Sequence, residues 1–173
     1  MRPTIYLIRH GEKTLDGKKL TKRGILQSKH LAKYLKSEKI TKIISSNINR
    51  SIQTAKIINK KLRAHHIRDS RIREIHLTSE KTKEFDNEKS RVKNFYEGII
   101  KNNKENILIV SHGNVNRYII CLILNMKFKD IKITQIPTGM NILERKNSGI
   151  IGVVAVNDTS HLPKRLKVRQ KLW

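Results

Sequence analysis

Apolar positions along the chain follow two periods, one typical of buried strands and one typical of amphipathic helices. Short continuous apolar runs predict three strands, at Thr4–Ile8, Lys42–Ser45 and Ile107–Val110. Elsewhere, apolar residues recur at spacings of three and four with polar residues on the opposite face, which predicts helices. The predicted helices cover Thr21–Lys36, Asn49–Leu62, Asn87–Lys101 and Asn114 to about Asn125.

The remaining segments are shorter or less regular. Two apolar runs, Asn141–Glu144 and Ile150–Val156, flank Asn147-Ser148-Gly149 and predict a β-hairpin. The basic stretch Arg63–Lys83 shows neither period and is interpreted as an extended excursion over the surface. The alternation of strands with helices predicts one α/β domain over residues 1–162, a three-layer α/β/α sandwich around a mostly parallel sheet. A basic, solvated tail is expected over residues 163–173.

The charge of the chain is strongly positive. Its 173 residues include 38 lysines and arginines against 14 aspartates and glutamates, a net charge of +24. Such a field attracts polyanions, although abundant Lys, Ile and Asn are also what an A+T-rich genome produces. Among anionic partners, a phosphorylated small molecule or a phosphoprotein is favoured over nucleic acid, because the sequence lacks aromatic residues interleaved with basic ones.

Cysteine content and apolar runs bear on the cellular compartment. The single cysteine, Cys121, cannot form a disulfide within the chain, so the protein is expected in a reducing cytoplasm. Because Cys121 lies on the apolar face of a predicted helix, we expect it to be a core residue. The first strand begins at Thr4, which leaves no room for a signal or transit peptide. The most apolar runs, Tyr118–Leu124 and Ile150–Val156, are shorter than the roughly 20 residues of a membrane-spanning helix.

Two histidines occur in the same local context, where a buried strand ends at a glycine. They are His10 in Arg9-His10-Gly11 and His112 in Ser111-His112-Gly113. The carboxyl ends of parallel strands form the sheet edge where ligands bind, and glycine lets the backbone turn tightly there. Arg50 opens the helix after the second strand, where the helix N-terminus favours anions. Arginine forks, imidazoles and helix N-termini at one edge predict a site for a phosphate dianion.

These motifs resemble those of the histidine phosphatase superfamily, also called the phosphoglycerate-mutase-like family. Arg9-His10-Gly11 matches its Arg-His-Gly hallmark, and Val110-Ser111-His112-Gly113 resembles its second histidine motif. Leu20–Gly24 is similar to its Leu-Thr-x-x-Gly stretch, and Ser45–Ala55, with one extra residue, to its Ser-x-x-x-Arg-x-x-x-Thr-Ala stretch. The matches occur in the family's order over nearly the whole chain, so a phosphoglycerate-mutase-like fold is expected.

Two further stretches are similar to one branch of the family. Asn114–Tyr118 and Asn157–Pro163 look like the corresponding parts of mutase-like mitochondrial Ser/Thr protein phosphatases, without the membrane anchor of those proteins.

The resemblance implies a mechanism that needs neither a cofactor nor a metal ion. Neutral His10 attacks phosphorus and forms a phosphohistidine. Arg9, Arg50 and a protonated His112 hold the phosphoryl oxygens, and Gly113 lies at the phosphate-binding helix start. The general acid would be Glu74. Because the Gly-x-x-Glu-Gly stretch that usually follows this glutamate is missing, Glu12 and Glu80 remain alternatives.

The predicted function is that of a cofactor-independent phosphomonoester phosphatase. A phosphoglycerate mutase of this family uses a long insertion after the acid, whereas here only the 37 residues 75–111 separate Glu74 from His112. The alternatives are a mutase-type phosphotransferase and a non-catalytic basic binding module on the same fold. A phosphoprotein or another bulky phosphoester suits the basic charge, and small phosphorylated metabolites and nucleotides fit the same electrostatics. The oligomeric state cannot be predicted.

Overall fold

The computed structural model describes residues 2–77, 82–146 and 148–167. Its centre is a six-stranded sheet. The strands are β1 (Thr4–Arg9), β2 (Lys42–Ser46), β3 (His65–Asp69), β4 (Ile107–Ser111), β5 (Met140–Arg145) and β6 (Ile151–Asp158). They lie in the order β3-β2-β4-β1-β5-β6. The four strands from β3 to β1 pair in parallel, and β5 and β6 add an antiparallel hairpin. The predicted mostly parallel sheet and its hairpin are confirmed.

Four longer helices connect or follow these strands. They are α1 (Lys22–Tyr34), α2 (Asn49–Leu62), α3 (Lys83–Phe95, continued by a π-helical turn over Tyr96–Ile100) and α4 (Gly113–Leu124). Thr21 caps the first of them, because its side chain accepts a hydrogen bond from the Gly24 backbone N–H. The helix bounds of α2 agree with the predicted ones at both ends.

Helices cover both faces of the sheet. Successive side chains of β1 point to opposite faces, so Ile5 and Leu7 pack with α3 and α4, whereas Tyr6 and Ile8 pack with α1 and α2. Both faces of the central strands are therefore buried, which explains their continuous apolar sequences. This arrangement is the predicted three-layer α/β/α sandwich. Cys121 is fully buried in the core on the α4 side.

The stretch predicted as an irregular surface excursion contains a strand, and that prediction was wrong. β3 pairs in parallel with β2, and Ile44 lies opposite Ile67. β3 is an edge strand whose side chains are exposed or half-buried, so its sequence, His-His-Ile-Arg-Asp, carries no apolar run. Pairing with a neighbour, rather than its own side-chain pattern, makes this segment a strand.

Two further boundaries differ from the predicted ones. α3 begins at Lys83 rather than Asn87, because Thr82 caps it and Phe85 is buried in its first turn. The proposed tail is not solvated at its beginning. Leu166 is only 5% exposed, and its carbonyl accepts a hydrogen bond from Gln27 Nε2 (2.9 Å). Residues 168–173 lie outside the described residues.

None of the helices in the described ranges combines the length and the apolar character needed to cross a membrane.

Candidate active site

The two His-Gly turns meet at the carboxyl edge of the sheet. β1 and β4 are parallel neighbours with Arg9 opposite Ser111, so the residues that follow them are adjacent. The His10 backbone N–H donates to the Ser111 carbonyl (3.0 Å), and the ring centroids of His10 and His112 lie 5.2 Å apart, at 66° to each other. Strand register thus brings together two side chains that are 102 positions apart in sequence.

His10 is neutral and presents Nε2 to the site. Its Nδ1 lies 2.7 Å from the Gly11 carbonyl oxygen, which can only accept, so Nδ1 carries the proton. Nε2 accepts a hydrogen bond from Arg50 Nε (2.9 Å). The side chain is 1% exposed. Burial is the main cause that lowers the pKa of His10 to about 3, and the nearby cations Arg9, Arg50 and Lys13 lower it further, against the Gly11 carbonyl.

Arg50 lies between the two imidazoles. It sits in the first turn of α2, and its Nη2 donates to His112 Nδ1 (3.3 Å) while its Nη1 donates to the Gly17 carbonyl (3.3 Å). A single guanidinium therefore contacts one nitrogen of each histidine and the loop that precedes α1. This fork is suited to binding the oxygens of a phosphoryl group beside His10.

His112 is oriented by two serines. Because Nδ1 accepts from Arg50, the proton of the ring is on Nε2, which donates to Ser46 Oγ (3.0 Å) and lies 3.4 Å from Ser51 Oγ. Ser46 and Ser51 were not candidates in the sequence analysis. The only signal for them was their position in the stretch that resembles the family's arginine motif.

The charge state of His112 in the ligand-free site depends on its surroundings. Its ring is fully buried, and this burial is the largest cause that holds the pKa of His112 well below its usual value. The neighbouring His10, Arg50 and Arg9 add to the shift. Burial and the neighbouring positive charges therefore favour the neutral form of His112 in the ligand-free site.

Arg9 ends β1 on the other side of His10. Its Nη1 donates to the Gln135 carbonyl (2.5 Å), and its buried Nε has no hydrogen-bond partner among the described residues. Gly113 lies beside it, since a Cβ on Gly113 would be 3.9 Å from Arg9 Nε. A buried N–H donor without a partner is costly, and here it lies next to the first turn of α4.

Glu74 packs against the start of α4. Its Oε1 accepts from the backbone N–H groups of Asn114 (3.2 Å) and Ile75 (3.2 Å). Burial raises the pKa of Glu74, although Arg9, the two backbone donors and Arg50 oppose the shift. A half-buried carboxyl that holds its proton at higher pH than usual, beside two arginines, has the properties of a general acid.

The alternatives to Glu74 as general acid are the carboxylates Glu12 and Glu80. Glu12 turns toward α1, where its Oε2 accepts from Thr21 Oγ1 (2.7 Å) and lies 3.3 Å from Arg23 Nε. Glu80 lies outside the described residues. Of the described candidates, Glu74 is the one that packs against the α4 N-terminus and interacts electrostatically with both site arginines.

Known proteins of similar fold bear on this arrangement. YhfR of Bacillus stearothermophilus superposes with a TM-score of 0.78 at 22% identity, covering 92% of this chain and 98% of YhfR. A phosphoserine phosphatase of Entamoeba histolytica, solved with 3-phosphoglyceric acid, superposes with a TM-score of 0.71 at 24% identity over 93% and 100% of the two chains. These likenesses show a shared fold.

Two sequence matches go further. A Proteus mirabilis protein described as a probable phosphoglycerate mutase, GpmB, is 40% identical in a 68-residue alignment that covers 34% of this chain and 32% of that relative. The match thus spans about a third of the relative's length. The family model of the histidine phosphatase superfamily (branch 1) matches residues 5–89 and 79–159, nearly the whole chain. The chain is therefore a member of the histidine phosphatase superfamily.

Proposed function

We propose that this protein is a phosphomonoester phosphatase that works through a phosphohistidine on His10. The observation that carries the proposal is the state of His10, which is neutral, protonated on Nδ1, and directs Nε2 at a guanidinium fork. An unprotonated imidazole nitrogen is a nucleophile, and a guanidinium fork beside it suits the phosphoryl group that it would attack.

Binding of the substrate rearranges the contacts of Arg50. The phosphoryl oxygens take over the hydrogen bonds that Arg50 makes with His10 Nε2 and His112 Nδ1. This exchange frees the lone pair of Nε2 at the moment when the phosphorus is next to it. Arg9 Nε, which lacks a partner among the described residues, contributes a further donor.

Binding of the substrate also changes the protonation equilibrium of His112. The dianionic phosphoryl group offsets the positive charges that hold the pKa of His112 down. His112 then takes up a proton from solvent on Nδ1 and donates it in a hydrogen bond to a phosphoryl oxygen, while Nε2 keeps its bond to Ser46. This proton returns to solvent when phosphate leaves.

The chemistry proceeds in two displacements. In the first, the bond from His10 Nε2 to phosphorus forms, the ester P–O bond breaks, and Glu74 gives its proton to the leaving oxygen. In the second, Glu74 takes a proton from a water molecule whose oxygen attacks phosphorus. The P–N bond then breaks, inorganic phosphate leaves, and His10 and Glu74 return to their starting states.

Two observations favour hydrolysis over a mutase reaction. Only eight residues, 75–82, separate Glu74 from α3. The 37 residues 75–111 between Glu74 and His112 also contain α3 and β4, so little chain is available there to seal the phosphohistidine from water. Incubation with 3-phosphoglycerate separates the two functions, because a mutase yields 2-phosphoglycerate and a phosphatase yields inorganic phosphate.

The substrate that we propose is a phosphoprotein or another bulky phosphoester. The net charge of +24 favours an extended anionic substrate, and the eight residues between Glu74 and α3 leave little chain for a lid over the site. Purified protein should then cleave phosphoserine or phosphothreonine peptides at least as efficiently as sugar phosphates. A preference of several hundredfold for a sugar phosphate would overturn this substrate class.

The first test is hydrolysis of p-nitrophenyl phosphate without added metal, with and without a chelator. Wild-type protein should be active under both conditions, and His10→Ala should be inactive. His65→Ala, a change in an exposed histidine of β3, is the matched control and should keep full activity. A wild-type protein that binds phosphate but hydrolyses no ester would instead support the non-catalytic binding module.

A further inference from the structure

Residues 135–138, in the loop that leads into β5, form hydrogen bonds with both the guanidinium and the backbone carbonyl of Arg9. The Gln135 carbonyl accepts from the guanidinium of Arg9 (2.5 Å), and the Thr138 backbone N–H donates to the Arg9 carbonyl (3.0 Å). The direction of the guanidinium therefore depends on where this loop places one carbonyl oxygen.

A buried pair of amides fixes that loop. Gln135 and Asn141 are 3% and 0% exposed. Asn141 Nδ2 donates to Gln135 Oε1 (2.8 Å) and to the Leu7 carbonyl (2.8 Å), and Asn141 Oδ1 accepts from Gln135 Nε2 (3.0 Å) and the Asn157 N–H (3.0 Å). Asn141 thus makes all four hydrogen bonds that its amide allows, so its orientation is fully determined.

A third amide extends this pair to the other side of the site. Asn116 Nδ2 donates to Gln135 Oε1 (3.3 Å), and Asn116 Oδ1 accepts from Ser111 Oγ. Asn116 lies one turn after His112 in α4, where its own N–H donates to the His112 carbonyl (3.0 Å). The three amides, Asn116, Gln135 and Asn141, therefore connect Arg9 to the strand end and helix that carry His112.

The backbone around the loop is held in an uncommon shape. Asn157 Oδ1 accepts from the Ile136 N–H (2.7 Å), and a Cβ on Gly139 would lie 2.2 Å from that oxygen, so a larger residue at 139 would displace the Asn157 amide. Thr138 has φ +60°, a left-handed conformation that a β-branched residue rarely adopts. Such a conformation persists only where the surroundings impose it, and strain of this kind is found at functional sites.

We propose that Asn116, Gln135 and Asn141 form a positioning set that aims the Arg9 guanidinium at the phosphoryl group. This inference rests on the proposed function, in which Arg9 binds that group. None of the three amides touches the substrate. They act through the Gln135 carbonyl, and a displacement of about 1 Å in a group that orients a substrate can lower a rate about a hundredfold.

The test compares two substitutions that replace an amide with an apolar side chain of similar size. Gln135→Met removes the centre of the positioning set. Asn59→Leu is the control, because the Asn59 amide is also hydrogen-bonded, through two bonds to the backbone of Ala64 just beyond the C-terminal end of α2. Both proteins are first compared with wild type by circular dichroism and thermal unfolding, and activity is expressed per folded molecule.

Gln135→Met should lower kcat about 10- to 100-fold, and it should weaken inhibition by vanadate, an analogue of the phosphoryl group in transfer, by a similar factor. Asn59→Leu should lower stability and leave both quantities at the wild-type level. Folded Gln135→Met with wild-type kcat and vanadate affinity would overturn the proposal, as would equal losses in both variants. If Gln135→Met fails to fold, Asn116→Leu undergoes the same comparison with the same criteria.

Failure of the proposed function is distinguishable from failure of this inference. If wild-type protein hydrolyses no phosphoester, the phosphatase proposal is wrong. The role of the positioning set is then tested by measuring the affinity of each protein for inorganic phosphate. Weaker phosphate binding by Gln135→Met than by wild type and Asn59→Leu would support the set. Equal affinity in all three, or no phosphate binding by wild type, would overturn it.

Discussion

The two His-Gly turns have the same sequence pattern and the same place at the sheet edge, yet their imidazoles are used in opposite ways. His10 donates through Nδ1 to the carbonyl of its own neighbour, Gly11, and leaves Nε2 for Arg50. His112 donates through Nε2 to Ser46 and leaves Nδ1 for the same arginine. In each ring, the protonated nitrogen donates to a protein oxygen, and the position of that oxygen determines which of the two nitrogens is left to face Arg50.

In the proposed mechanism, this difference separates the nucleophile, His10, from a phosphoryl-binding residue, His112. The partner of His10 is local, so its tautomer follows from the conformation of the turn itself. The partner of His112 comes from another strand, so its tautomer depends on tertiary packing. Each turn also has a carboxylate nearby: Glu12 follows the first turn and faces α1, whereas Glu74 packs on the helix that follows the second turn.

The largest expected effect distinguishes the two histidines directly. With a ³²P-labelled substrate, His10→Ala should form no acid-labile phosphoenzyme and should lose hydrolysis to the background rate. His112→Ala should still become labelled, with kcat lowered about 10²- to 10³-fold, as for the loss of one donor to a developing charge. Labelling of His10→Ala, or its absence in a folded His112→Ala, would reverse or reject the assigned roles.

The second prediction compares the two carboxylates on an alkyl phosphate, whose poor leaving group requires a proton. Glu74→Gln should lower kcat about 10²- to 10⁴-fold. Because burial raises the pKa of Glu74, the acid form persists above its usual range, and the wild-type rate should fall as pH rises through that pKa.

In Glu74→Gln this dependence on pH should disappear. Glu12→Gln is the control, since it alters contacts that face α1: a hydrogen bond from Thr21 and a partly exposed ion pair with Arg23, the latter worth about 0.2–1 kcal/mol of stability. A large loss of activity in Glu12→Gln with none in Glu74→Gln would identify Glu12, rather than Glu74, as the general acid.

The smallest effect tests what orients His112. Ser46→Ala removes the oxygen that accepts from its Nε2 and should lower kcat about 3- to 10-fold, in line with one buried hydrogen bond. Ser45→Ala changes the preceding buried serine, which bonds His66 Nε2 instead (2.9 Å), and should leave kcat unchanged. Equal rates for both variants would show that Ser51 alone suffices to hold the ring.

Much of the fold follows from local sequence patterns. β1, β2 and β4 are continuous apolar runs because both faces of a central parallel strand are buried, and α2 has a clear amphipathic period. The position of His10 and His112 at one edge follows from the same strands, since parallel strands end on the same side. These features depend on neighbours in sequence, so the sequence by itself determined them.

The tertiary structure decided what depends on distant partners. β3 is a strand through its pairing with β2, although its own residues are polar. One hydrogen bond links Ser46 to His112, and the three amides reach the Arg9 guanidinium through one carbonyl, that of Gln135. Arg9 and Gln135 are 126 positions apart in sequence. A polar side chain carries no sequence pattern that identifies its partner, so only the packed fold shows which charges and tautomers the site holds.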